Sequence, residues 1–266
     1  VPHPTRLAEF SARGTLVKPL LHQFVMDPKA DVPLNLLVQR PMPRQPDSRF
    51  HASQHPLMGE FELYLWMTGQ LPDNDTFDEA SFNVRMAVMF GSLAHAVFEA
   101  FLAWTGKAVP LPQGNCQSCG RPYRPLRARP DPVKYCTEFG FAHPATRSSA
   151  HLDAILDFGA GRIAWPLHGE DTYGLDFKTI YPLGLKGIRD MDTGQFREKW
   201  PKYWAQGQEC MRLSGLRKYI FLFMTLGSPW ETREFHLEFD HEFAVETEQK
   251  YLRVISHLER GIPIVA

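Results

Sequence analysis

Long apolar runs are missing from this chain. No uninterrupted hydrophobic stretch reaches the roughly 20 residues a membrane-spanning helix needs, and no export signal is visible, so a cytoplasmic location is expected. Net charge is also nearly absent, at −1 from 29 basic and 30 acidic side chains, so any affinity for nucleic acid must come from local basic surface. Cysteine is scarce. Two of the four lie in a C-x-x-C spacing, which without an export signal points to metal binding before disulfides. There is no internal repeat, low-complexity tract or Gly-rich nucleotide loop, which excludes solenoids and the common phosphate-cradling motifs.

What is present suits a soluble globular protein. Hydrophobic residues make up 44% and charged residues 22% of 266, enough for one sizeable core with decoration. Residues 1–50 are punctuated by Pro2, Pro4, Pro19, Pro28, Pro33, Pro41, Pro43 and Pro46, which leaves no room for a long helix and predicts an extended arm. Residues 51–266 then form the main domain, interrupted by an insertion over 107–149.

The chemistry gathers between Ala150 and Thr179. Leu152, Ile155, Leu156 and Phe158, bounded by Gly159-Ala160-Gly161, predict a buried strand that carries Asp153 in its middle. Gly174 to Thr179 reads as a second strand, whose alternation puts Asp176 and Lys178 on one face and Leu175 and Phe177 on the other. Burying one carboxylate is costly and two repel, so a divalent cation with a preference for oxygen, Mg²⁺ or Mn²⁺, is expected between Asp153 and Asp176. Lys178 can then hold an attacking water or offset charge on a phosphorane-like transition state. Asp157, on the same strand face as Asp153, is the alternative first carboxylate.

Thr76-Phe77-Asp78-Glu79 is a capping-box pattern, and the apolar positions that follow run to Trp104 before Thr105-Gly106, predicting a long helix. His95 and Glu99 lie one turn apart on it. Further on, a helix from Tyr203 to about Ser214 carries Gln206, Gln208 and Cys210, and a strand follows over Tyr219–Met224. Glu234–Phe239 alternates like an edge strand, and His241–Arg260 has a helical pattern stopped by Gly261.

The order of these motifs, D-(spacer)-D-x-K-T on successive strands after G-x-x-x-H-x-x-x-E (Gly91, His95, Glu99), resembles the PD-(D/E)XK nuclease superfamily, and within it the RecB-type exonucleases of phage or CRISPR-associated kind. Phe50-His51-Ala52-Ser53 before the aromatic run Phe61–Trp66 resembles that branch's opening turn and helix. Gln206 stands at the glutamine of its Q-x-x-x-Y motif, with Cys210 where tyrosine is usual and Gln208 the alternative glutamine. The resemblance implies an α/β fold, a central mixed β-sheet flanked by helices in a restriction-endonuclease-like core. It implies His95 as a nitrogen ligand beside Asp153 and Asp176, with Lys178 and Gln206 completing the catalytic set. DNA is the implied substrate, cut from its ends, with partners in recombination or repair. The alternatives are an endonuclease of the same superfamily, or a zinc-stabilised DNA-binding protein on an inactive scaffold.

The insertion adds a second metal expectation. Cys116-Gln117-Ser118-Cys119-Gly120, Cys136 and His143 follow a structural zinc pattern, in which thiolates and imidazole fold a segment lacking a core of its own. An iron-sulfur cluster using Cys210 is the alternative, and the RecB-type cluster cysteines fall elsewhere in the chain. Arg121, Arg124, Arg127, Arg129 and Lys134 make the same loop basic and suited to phosphate contact.

Overall fold

The computed structural model describes residues 16, 17, 20, 49–71, 82–124, 134–159, 170–225 and 231–265. Most of the proline-rich arm, the capping box at Thr76–Glu79, and Arg127 and Arg129 lie outside the described residues. Of the arm, Val17 and Leu20 are buried, and the Glu234 carboxylate accepts the backbone N–H groups of Leu16 and Val17 at 2.9 Å each.

In chain order the elements are β1 (Phe50–His51), α1 (Glu60–Met67), α2 (Phe82–Thr105), β2 (Phe139–His143), β3 (Ser148–Leu152), β4 (Ala154–Asp157) and β5 (Thr172–Ile180). Then come α3 (Pro182–Lys186), α4 (Thr193–Lys199), α5 (Pro201–Ser214), β6 (Lys218–Thr225), β7 (Thr232–Glu238) and α6 (His241–Arg260). The strands form a four-stranded sheet in the order β4-β5-β6-β7 and a three-stranded sheet in the order β1-β3-β2. Both are mixed: β5 and β6 run parallel, as do β1 and β3, and the remaining pairs are antiparallel. The parallel step from β5 to β6 is spanned by α3, α4 and α5, the helical crossover such a connection requires. The α/β class and the flanking helices match the sequence expectation, with two sheets where one was expected.

Each face of the larger sheet has its own core. Leu175, Phe177, Ile220 and Leu222 face α2, where Phe98 and Phe177 stack at 4.4 Å between ring centres. Tyr219, Phe221 and Phe223 face the other way, toward α4 and α5, in a cluster with Phe196, Ala205 and Met211. Burial on both sides explains why β6 reads as an unbroken apolar run, Tyr219-Ile220-Phe221-Leu222-Phe223. A third cluster, with Phe50 stacked on Tyr251 at 4.4 Å, fixes β1 and α1 against α6. Arg212 of α5 ties that helix to the smaller sheet, pairing with Glu209 at 2.8 Å and donating to Ser148 Oγ at 2.8 Å.

Within the 107–149 span, Phe139–His143 and Ser148-Ser149 are strand residues of the smaller sheet, and Phe139 and Phe141 carry core-facing side chains.

Candidate active site and a cysteine-histidine cluster

Asp153 is not in the middle of one strand. It occupies the bend between β3 and β4, where the chain passes from the smaller sheet to the larger. The β4–β5 register begins at Ala154 opposite Leu175, and one further step sets Asp153 across from Asp176. Beyond that point the Phe177 N–H has no β4 carbonyl to meet, and Asp153 Oδ2 accepts it at 2.6 Å. A backbone donor left over at a strand end thereby fixes one oxygen of the carboxylate. The other, Oδ1, lies 3.6 Å from Nδ1 of His95, which α2 presents edge-on to the Phe177 ring at 5.2 Å.

Asp176 and Lys178 share a face of β5, as the alternation requires. Lys178 Nζ is 3.1 Å from Asp176 Oδ2, and the same oxygen accepts from Gln206 Nε2 of α5. Gly174, two residues earlier on that face, lets the strand close onto Tyr219: a Cβ there would meet the Tyr219 ring at 2.6 Å. Asp176 is 2% exposed and the Asp153 side chain 14%. Burial pushes the Asp153 carboxyl upward. His95 and Lys178 oppose the shift, and Glu138 adds to it. Asp176 is likewise raised by burial, with Lys178 opposing and the Asp153 charge adding to the effect. Lys178 loses by burial and gains more from the two aspartates, so its ammonium is held charged above the ordinary lysine value.

The structure thus brings His95, Asp153, Asp176, Lys178 and Gln206 together. It sets the alternatives elsewhere. Asp157 Oδ1 accepts from Gly159 N–H at 2.8 Å in a local turn. Gln208 braces the end of β7, donating to Glu238 O at 2.9 Å and accepting from Asp240 N–H at 2.8 Å. Cys210 is buried in the core, its thiol pushed well up by burial and by Asp176. Glu99 is half-buried on α2 one turn beyond His95. Glu138, which the motifs did not single out, acts on both Asp153 and His151; its only sequence signal is its place two residues after Cys136.

Among the described residues, one group of potential metal ligands has all its ligand atoms within 4.8 Å of one another: Cys116, Cys119, Cys136 and His151. This corrects the sequence expectation for the fourth ligand. His143 lies at the far end of β2, with Nδ1 2.9 Å from Thr146 Oγ1, whereas His151 on β3 faces the thiols. The thiols act on one another. The Cys136 thiol is raised by Cys116 and Cys119, and the Cys119 thiol is lowered by hydrogen bonds from Cys116 and Cys136.

No family model matches this chain, and no curated protein does. Among solved structures it is similar to an alkaline exonuclease (LHK-Exo) from Laribacter hongkongensis, at 16% identity and TM-score 0.47, over 80% of this chain and 89% of that one. The same exonuclease in complex with dAMP aligns at 17% identity and TM-score 0.45 over the same shares. SSO0001 aligns at 11% identity and TM-score 0.39 over 95% of this chain and 94% of that one. Likeness at this level carries no activity across, and the functional reading rests on the site itself.

Proposed function

We propose that this chain is a metal-dependent nuclease that hydrolyses phosphodiester bonds of DNA, acting from ends. The observation that carries the reading is the convergence of a buried carboxylate on β5 and a partly buried one at the β3–β4 bend, with an ammonium 3.1 Å from the first. Both carboxyls are held above their ordinary range by burial, and for Asp176 by its neighbour's charge as well, the condition a bound cation relieves. The donor set, two carboxylates and one imidazole, suits Mg²⁺ or Mn²⁺, held by Asp153, Asp176 and His95. When bound, such an ion supplies Lewis acidity at a phosphoryl oxygen and lowers the pKa of coordinated water.

The side chains divide the remaining work. Lys178, kept charged by both aspartates, holds the attacking water and offsets charge that grows on the phosphoryl oxygens. Gln206, 8% exposed, fixes the rotamer of Asp176 through its amide. The Phe177 N–H does the same for Asp153. As water's oxygen bonds to phosphorus it gives up a proton to solvent, the bond to the departing ester oxygen breaks, and that oxygen takes a proton from solvent. Arg124 and Lys134, both exposed on the cysteine-bearing loop, supply basic surface for the backbone of DNA.

End-directed action is tested by giving the protein, with Mg²⁺ or Mn²⁺, a linear duplex and a covalently closed circle of the same sequence. The linear form should be degraded while the circle survives. Equal loss of both, with discrete internal fragments, would make the protein an endonuclease, and survival of both would remove the nuclease reading.

A further inference from the structure

The cysteine-histidine cluster stands apart from the aspartates, and its geometry is that of a single small ion. We propose that Cys116, Cys119, Cys136 and His151 bind one tetrahedral zinc ion, which clamps the loop before β2 onto strand β3 two residues ahead of Asp153. This does not rest on the nuclease reading.

Distances support one ion over a cluster. Zinc–sulfur bonds of about 2.3 Å and zinc–nitrogen bonds of about 2.05 Å at the tetrahedral angle place S and N about 3.6 Å apart. Cys116 Sγ and His151 Nε2 are 3.5 Å apart. All four ligand atoms lie within 4.8 Å of one another, too close to surround an iron-sulfur cubane, whose inorganic core holds its ligands much farther apart. Cys210, the fourth thiol, is buried in the core and outside the group.

The backbone around the thiols is arranged to receive a cation. Cys116 N–H bonds to Arg121 O at 2.8 Å and Gly120 N–H to Cys116 O at 2.8 Å, closing a tight knuckle in which Gly120 adopts φ +72°. Two further donors point at sulfur: Cys119 N–H to Cys116 Sγ at 3.4 Å, and Arg121 Nε to Cys119 Sγ at 3.3 Å. Three thiolates around Zn²⁺ leave a net negative charge, which these donors offset.

Gly140 supplies an independent sign that the site is built. It pairs with His151 across β2 and β3, and a Cβ there would lie 2.0 Å from Cys116 Sγ and 3.1 Å from His151 Nε2. Only a residue without a side chain lets the knuckle sit over the strand pair against the imidazole. The Tyr123 hydroxyl then stitches loop to strand, donating to Gly140 O at 3.1 Å and accepting from Gly140 N–H at 3.2 Å. The loop needs such a clamp: between α2 and β2, the regular pairing of the described residues is limited to the single bridges Ala108↔Leu156, Asn115↔Pro122 and Tyr123↔Cys136.

The test is metal analysis of the full chain, together with zinc X-ray absorption of the wild type, which does not depend on any variant folding. About one zinc per chain with a shell of three sulfurs and one nitrogen is expected. Cys116→Ser, His151→Ala and Gly140→Ala should each lose most of the zinc, and His143→Ala should keep it. No zinc in the wild type, iron with sulfide, a four-sulfur shell, or full zinc in His151→Ala would each overturn the assignment. These readouts are independent of DNA cleavage, so either reading can fail without the other.

Discussion

Replacing Asp153 by Asn separates what the site costs from what it does. The carboxylate is 14% exposed, and burial outweighs the help it gets from His95, Lys178 and the Phe177 N–H, so its folded-state pKa is raised. An amide oxygen can still accept the Phe177 N–H, now at 2.6 Å, while the buried charge is gone. Because the folded value lies above the unfolded one, about 3.9, the group's contribution to stability is full below the unfolded value and is lost as pH rises through the folded value. The variant lacks that titration. Each unit of upward shift is worth about 1.4 kcal/mol at higher pH, and 1 kcal/mol moves Tm by about 2–4 °C in a chain of this size. Calorimetry in zinc-replete buffer without Mg²⁺ or Mn²⁺ should therefore find Asp153→Asn more stable than wild type at pH 8, with the difference shrinking to nothing near pH 3. Adding Mn²⁺ at about 100 times its Kd should stabilise the wild type by about 2.7 kcal/mol and the variant far less. A variant less stable than wild type at pH 8, or a gap that narrows as pH rises, would refute the reasoning.

Lys178→Met should abolish cleavage and also lower Tm, since Asp176 would keep a buried charge whose ammonium partner at 3.1 Å is gone; an unchanged Tm would show that the pair is not coupled. Gln206→Ala frees the Asp176 rotamer and should lower turnover about 10-fold or more while leaving zinc content unchanged, as single-turnover rates would show. Arg212→Ala strands the buried Glu209 and should cost about 3–5 kcal/mol in urea unfolding. Gly174→Ala drives a methyl into the Tyr219 ring and should cost about 1–3 kcal/mol, with activity falling as β5 shifts.

How much of this the sequence carried depends on how local each feature is. The shared face of Asp176 and Lys178 follows from strand period alone, and the helix stops at Gly106, Gly215 and Gly261, all with positive φ, follow from glycine's freedom. Asp153 was visible as a residue but not as a bend, because two sheets meet there and the apolar pattern runs through the junction without a break. Gln206 and Gln208 are both buried on one helix, and only docking of α5 against β5 and β7 decides which meets the carboxylate. Sequence order favours His143, the first histidine after the loop's last cysteine, over His151. The fourth ligand comes from the strand beneath the loop, through the pairing of Gly140 with His151. A glycine opposite a histidine on the hairpin that follows the cysteines is the available signal.

The central claim is that Asp176 with Lys178 forms a phosphodiesterase site, and cleavage of an end-labelled linear duplex by wild type and Asp176→Asn, in Mn²⁺ and at equal zinc content, tests it most directly. Release of labelled nucleotides by the wild type and a loss of at least about 100-fold in the variant is the result the proposed function predicts. Equal rates in both proteins, or no release by a folded, zinc-loaded wild type, would contradict it.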